Sequence, residues 1–213
     1  ERAANLTRQL LAFSRRQTLQ TAVLDLNEVV ANLTRMLKRI LGEDVTMQLH
    51  YAPQAAVVKA DATMLEQVLL NLVVNARDAM PTGGRLVIET SHATLDERMS
   101  TQMPQGRPGH FIVLAVSDTG AGIAPEILPR IFEPFFTTKD VGKGTGLGLA
   151  TVYGIVQQHD GWVNVYSEPG KGTTFRIYLP YCERPAAPPP KVESLKEVRG
   201  GTETVLVVED EPA

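Results

Sequence analysis

The chain has 213 residues, enough for one well-buried core with appendages. A formal net charge of −3 argues against a nucleic-acid binder, which would carry a basic stripe. No apolar run approaches the ~20 residues needed to span a bilayer, and one cysteine, Cys182, cannot make an internal disulfide.

Residues 1–20 read as a helix, because Leu6, Leu10, Phe13 and Gln17 recur at helical spacing with Leu11 widening the stripe. A short extended piece at 23–26 follows. Asn27 is expected to cap a helix over 28–41, which Gly42 ends. Val45, Met47 and Leu49 alternate with polar residues, as in a half-buried strand. A short strand near 56–59 leads to Asp61, the expected N-cap of a long helix over 62–80. Pro81, Gly83 and Gly84 break that helix. Alternation returns at 85–93, residues 96–108 read as a loop or short helix, and the nearly continuous apolar run 111–117 predicts a central strand. A short helix is expected over 125–131 and another helix over 147–159. Strands at 161–167 and 173–179 then form a hairpin. Strands and helices mixed in this way predict a two-layer α/β sandwich. Residues from 184 to 190 are proline-rich and read as a stiff linker. The chain begins and ends in mid-pattern, as a piece of something longer would.

Gly142, Gly144, Gly146 and Gly148 alternate with other residues, and a helical pattern (Leu147, Leu149, Val152, Ile155, Val156) starts abruptly among them. Bare backbone brings N–H groups close to a ligand, and the helix behind aims its positive dipole end at the same place. That combination seats phosphate. No Gly-Lys-Ser/Thr closes the loop, so it is not a Walker A motif. No strand precedes it, so it is not a strong dinucleotide fingerprint. Alone it fits a plain flexible loop equally well.

Three companion stretches decide between these. They are Glu66 to Ala79, with Asn71 and Asn75; Asp118-Thr119-Gly120-Ala121-Gly122-Ile123; and Phe132-Glu133-Pro134-Phe135-Phe136-Thr137-Thr138-Lys139. In this order, with the glycine loop, they resemble the N, G1, F and G2 boxes of the histidine kinase catalytic domain. That domain belongs to the GHKL group shared with gyrase, MutL and the heat-shock chaperone. The resemblance covers about half the chain. It implies a Bergerat-type sandwich with a mixed, mostly antiparallel sheet, helices on one face, and ATP with Mg2+ between the layers.

A carboxylate only accepts hydrogen bonds, and the adenine 6-amino group donates. The resemblance gives Asp118 that contact; by itself Asp118 fits equally a turn aspartate bonded to its own backbone. Gly120 and Gly122 let the backbone pass the base, Ile123 covers the ring, and Thr173 matches a position that reaches adenine through water. Asn71 and Asn75 share a helix face, where amides among apolar residues need partners. The resemblance makes Asn75 the magnesium ligand and Asn71 a phosphate or metal-water contact. Arg77 and Lys143 are the expected cations at the phosphates, with Asp78 beside them. Lys139 is either a third cation or a solvated loop charge. Gly144, Thr145, Gly146, Leu147, Gly148 and Leu149 complete the expected nucleotide seat. The segment 132–145 is expected to act as a lid, anchored by Phe135 and Phe136 to the domain or to the docked hairpin helix, with 139–145 mobile without nucleotide. Ala76, Met80 and Phe132 read as core.

The resemblance extends to the flanks. Residues 1–20 look like the second helix of a dimerisation and histidine-phosphotransfer hairpin; a surface helix is the plainer alternative. Residues 21–181 form the catalytic domain and 182–201 the linker. Residues 202–213 resemble the first strand of a receiver domain, with Glu209 and Asp210 at its magnesium-binding acids, or else an acidic tail. None of His50, His92, His110 and His159 has the context of a phosphoacceptor. The expected protein is the ATP-binding part of a hybrid sensor kinase that phosphorylates a hairpin histidine outside this stretch. It would be cytoplasmic, homodimeric when full-length, and served by a receiver; an upstream membrane anchor would leave no trace here. Two alternatives are an ATP-hydrolysing switch and a module that uses ATP only as an allosteric ligand. Against the first stands Asn71, which occupies the place of a water-activating glutamate.

Overall fold

The computed structural model describes residues 19–139 and 144–183. Residues 1–18 of the expected hairpin helix, 184–201 of the expected linker, the receiver strand and Lys143 therefore lie outside the described residues; Leu19 and Gln20, at the expected end of the hairpin helix, are not helical. The element order is β1 (Ala22–Asp25), α1 (Leu26–Leu41), β2 (Val45–His50), β3 (Val57–Ala60), α2 (Ala62–Ala79), β4 (Gly84–Leu95), α3 (Glu97–Thr101), β5 (Gly109–Asp118), a 3-10 turn (Leu128–Arg130), α4 (Gly148–Gln158), β6 (Trp162–Glu168) and β7 (Gly172–Pro180). The main sheet runs β2-β4-β5-β7-β6, and only the β2-β4 pair is parallel. Strands β1 and β3 make a separate antiparallel ribbon. This is the mixed, mostly antiparallel sandwich expected from the sequence.

Strand β5 lies at the centre because both of its faces are apolar. Ile112, Leu114 and Val116 point to the helices and join Leu86 and Ile88 of β4 and Phe175 and Ile177 of β7 in the main core. Helix α1 contributes Val30 and Leu37, and α2 contributes Leu65, Leu69 and Leu72, all essentially buried. On the opposite face Phe111 and Val113 meet Leu95, Trp162 and Tyr178 in a second cluster. No helix among the described residues is long and apolar enough to cross a membrane.

Two local expectations are corrected. The cap of α1 is Asp25, whose carboxylate accepts the Asn27 N–H at 2.9 Å. Asn27 lies inside the helix, and its amide bonds the Ala52 carbonyl and the Thr90 hydroxyl. The helix expected over 125–131 shrinks to one 3-10 turn, because Pro129 lacks an N–H and disfavours helix at the residue before it. Asp61 caps α2 as expected, taking the N–H groups of Thr63 and Met64.

Candidate functional site: a cleft between α2, α4 and the ends of β5 and β7

A cleft of about 480 Å³ opens where α2 and α4 meet the end of β5 and the start of β7. One wall is a stripe of α2: Asn71, Val74, Asn75 and Asp78, at helical spacing. The opposite side of the same helix supplies Leu69 and Val73 to the core, so packing fixes the polar stripe toward the cleft. Among the described residues the Asn71 amide donates to the Gly148 carbonyl at 3.2 Å, leaving its oxygen unpaired, and no residue bonds the Asn75 amide. Both amides stand 3.8–3.9 Å from where a side chain at Gly148 would begin, so glycine there keeps the cleft open beside them.

At the far end, Asp118 and Thr173 are register partners on β5 and β7. Asp118 Oδ1 accepts the N–H groups of Gly120 at 2.8 Å and Thr173 at 3.3 Å, so the turn-aspartate role is real. Its second oxygen has no protein partner among the described residues. Burial pushes the Asp118 carboxyl above the usual carboxylate range, and the two backbone N–H groups offset only part of that. The turn after Asp118 is held on three sides. Ala121 N–H donates to the last carbonyl of α2, at Ala79, Gly170 N–H donates to the Ala121 carbonyl, and Ile123 N–H donates to Ser167 Oγ. Gly122 has φ +70°, and any Cβ there would run into the Glu168 carbonyl. Ile123, Ile127, Ile131, Phe136, Leu149 and Phe175 give the cleft its apolar surface.

The third side is the N-terminus of α4. Helices α1, α2 and α3 are each capped by an aspartate side chain, but α4 begins at Leu147–Gly148 with no side-chain cap. Its first-turn N–H groups and positive dipole end face the cleft beside Gly144, Thr145 and Gly146. Gly146 has φ +66°, and its carbonyl accepts the Phe135 N–H at 2.9 Å. That contact pins the F stretch to the glycine loop. Phe136 lines the cleft under the Arg130 guanidinium, 4.4 Å from its ring centre, whereas Phe135 is exposed. Lys139 lies on the rim, bonded to Asp78 at 2.5 Å. Burial raises the Asp78 carboxyl, but bonds and charge from Lys139 and Arg77 outweigh that and hold it below its ordinary range.

Of the residues singled out from sequence, Asn71, Asn75, Asp78, Asp118, Gly122, Ile123, Lys139, Gly144, Thr145, Gly146, Gly148, Leu149 and Thr173 line this one cleft. Gly120 and Leu147 are buried behind it, Gly120 against Ala79. Arg77 is off the wall, paired with Asp78 at 2.8 Å. Sequence reading missed Val74, Ile127, Phe136 to Thr138 as wall residues, and Phe175. Val74 was within reach, because it completes the stripe of Asn71 and Asn75.

A cleft of this size, apolar with an acceptor at one end and an uncapped helix terminus at the other, fits a purine and its phosphates. The amide oxygens suit Mg2+, which takes oxygen ligands and few protein atoms. No cluster of three or more His, Cys, Asp or Glu that could hold a metal occurs among the described residues.

Fold and site define a nucleotide-binding α/β sandwich. Residues 60–183 match the family model for histidine kinase-, DNA gyrase B- and HSP90-like ATPases, and the chain belongs to that family. It is similar to the sensor kinase CckA of Brucella abortus, 48% identical over 100% of this chain and 23% of that protein. It is also similar to the sensor histidine kinase ZraS of Salmonella typhi, 32% identical over 86% of this chain and 36% of the relative. The full-length ShkA structure in complex with AMPPNP superposes with a TM-score of 0.69 at 26% identity, covering 87% of this chain and 37% of that one. The chain thus spans 23% and 36% of the length of these two curated relatives.

Proposed function

We propose that this cleft binds Mg-ATP and presents its γ-phosphoryl group to a histidine of a dimerisation hairpin. One observation carries the reading: an acceptor-lined purine end, an asparagine pair and an uncapped helix terminus converge on one cleft that none of the four histidines lines. In this reading Asp118 accepts from the adenine amine, Thr173 backs it through water, and Ile123 covers the ring. The N–H groups at Gly148 and Leu149 hold phosphate. Asn75 ligates Mg2+ and Asn71 supports it, and the metal, when bound, neutralises charge on the phosphates. Lys139 and Lys143 add positive charge, and Arg77 acts only through Asp78. The AMPPNP complex of the ShkA relative supports adenosine triphosphate as the ligand.

The chain's own part in such chemistry is positioning and charge stabilisation. A hydrolytic switch is the weaker reading, because among the described residues no free carboxylate lines the cleft beside the phosphate end. Asp78 is committed to Lys139 and Arg77, and Asn71 is no base. Residues 1–20 would be the second hairpin helix, 182–201 the linker and 202–213 the start of a receiver, as the sequence resemblance implies. The parent would then be a cytoplasm-facing homodimer, where ATP is available, passing phosphate on to a receiver aspartate.

The test is incubation with γ-labelled ATP, with and without a separately supplied hairpin bearing its histidine. Acid-labile label is expected on the hairpin and not on this chain. Label on this chain alone, mapped to His50, His92, His110 or His159, would overturn the reading.

A further inference from the structure

Lys139 crosses the mouth of the cleft. Its stem lies along Gly144, where a Cβ would stand 3.3 Å from Lys139 Cβ and Cδ. Its N–H donates to Thr137 Oγ1 at 3.2 Å, and that oxygen is 2.6 Å from the same Cβ position. Glycine at 144 therefore makes room for the 137–139 turn, on the side of the cleft where α4 begins uncapped. The ammonium leaves that side. It donates to Asp78 Oδ2 of α2 at 2.5 Å, 61 positions back in the chain. Asp78 is two turns, about 10 Å, further along α2 than Asn71, whose amide meets Gly148 at the start of α4. Asp78 Oδ1 accepts from Arg77 Nε at 3.1 Å and Nη2 at 2.8 Å. Arg77 thus holds the carboxylate whether or not Lys139 stays on it.

An ion pair whose partners are 36% and 27% exposed is weakly held. A phosphate offers an ammonium charge-assisted bonds of its own, and it carries more negative charge than one carboxylate. We propose that Asp78 is a positioning residue that acts through Lys139: it draws the ammonium from the phosphate seat to α2 while the cleft is empty, so an incoming phosphate must take Lys139 from it. This rests on the cleft being the nucleotide seat. Breaking the pair weakens nucleotide binding, and re-forming it as phosphate departs hastens release. Arg77 stays on Asp78 Oδ1 throughout, so the carboxylate is not freed to act as a base.

The test is calorimetric titration of the whole chain with ADP and Mg2+. The proteins are wild type, Asp78→Asn, Lys139→Gln and the double variant. Asp78→Asn keeps the shape of the side chain and removes its charge. It is expected to tighten ADP about fivefold, the upper range of what an exposed ion pair is worth. Stopped-flow release of a fluorescent ADP analogue should slow with it. Part of any gain comes from removing a negative charge near phosphate, and that part is the same with or without Lys139. On the Lys139→Gln background the gain is therefore expected to fall below about twofold, because the cation that Asp78 withholds is gone. Equal gains on both backgrounds mean that Lys139 does not change hands, and they overturn the inference. So does weaker ADP binding by Asp78→Asn, which would make the carboxylate a support for Lys139 instead of its competitor. Should Asp78→Asn not fold, Asp78→Ser carries the same cycle with the same expected signs. Wild type that binds ADP while the two gains are equal removes this role of Asp78 alone; wild type that binds no ADP removes the nucleotide reading itself.

Discussion

Burial lifts the Asp118 carboxyl above its ordinary value of 3.8, and the Gly120 and Thr173 N–H groups offset only part of the rise. The sign for stability follows. The folded value lies above the unfolded one, so ionising Asp118 costs the empty fold stability at any pH above the folded value. That cost disappears below 3.8. Asp118→Asn is therefore expected to raise, or at least not lower, the melting temperature of the ligand-free protein at neutral pH. The same change removes the acceptor from the purine end and should weaken ADP by about 1–3 kcal/mol, roughly 5- to 150-fold. Thermal melts and calorimetry on one preparation read both effects, and a variant that binds ADP as wild type does would remove Asp118 from the site. ADP affinity of the wild type should also fall as pH drops through the Asp118 value, because the protonated carboxyl no longer presents two acceptor oxygens. Asp78 runs the other way. Its folded value is depressed, so its contribution is present above 3.8 and is lost as pH falls through the folded value. Its exposure keeps that contribution small.

At the scale of elements, the site depends on how α2 and α4 are held against each other. His159 ends α4 and is buried. Its Nδ1–H donates to the Ile155 carbonyl at 2.8 Å, and its Nε2 accepts the Asp61 N–H at 3.0 Å, at the cap of α2. This neutral tautomer ties the end of one site helix to the start of the other. His159→Ala leaves the Asp61 N–H without its partner, while the Ile155 carbonyl keeps the backbone N–H of residue 159, and is expected to cost about 1–3 kcal/mol in urea unfolding. A loss below a few tenths would mean the staple carries no energy. The glycine loop is held by a different device. At Gly146, a Cβ would collide with the Phe135 backbone and the residue would be strained at φ +66°. Gly146→Ala should cost at least about 1 kcal/mol and displace the start of α4. ADP affinity should fall with it, whereas a variant that loses stability and keeps its ADP affinity would separate this hinge from the phosphate seat.

Over the whole molecule, the sheet buries a core on each face. The second core is centred on Trp162, which stacks on Tyr178 at 4.7 Å and meets Phe111 edge-on at 4.7 Å. Its indole N–H is buried and has no partner among the described residues. Trp162→Ala should therefore cost about 3–5 kcal/mol, but Trp162→Phe much less, since it removes the orphan N–H along with the second ring. Circular dichroism during denaturation distinguishes them, and equal losses would refute the argument from the orphan group. Much of this architecture was readable from sequence, because β5 is apolar on both faces and α2 carries amides at i and i+4. The rest was hidden for physical reasons. Each helical residue advances about 100°, so Arg77 turns away from the stripe of Asn71, Val74, Asn75 and Asp78, although in sequence it sits among them. Phe136 and Phe175 look like core residues until a cleft opens beside them. Ser167 is an ordinary strand serine until pairing brings it to Ile123, 44 positions away.

The most direct test of the account is an ADP titration of the isotopically labelled chain followed by backbone amide resonances. The largest shifts are expected at both ends of the cleft together: Gly120, Gly122 and Thr173 at the purine end, Gly148 and Leu149 at the phosphate end. Amides around Trp162 and Tyr178 on the opposite sheet face should stay still. Shifts centred on that opposite face, or at only one end of the cleft, would contradict a single seat for nucleotide between α2, α4 and the ends of β5 and β7.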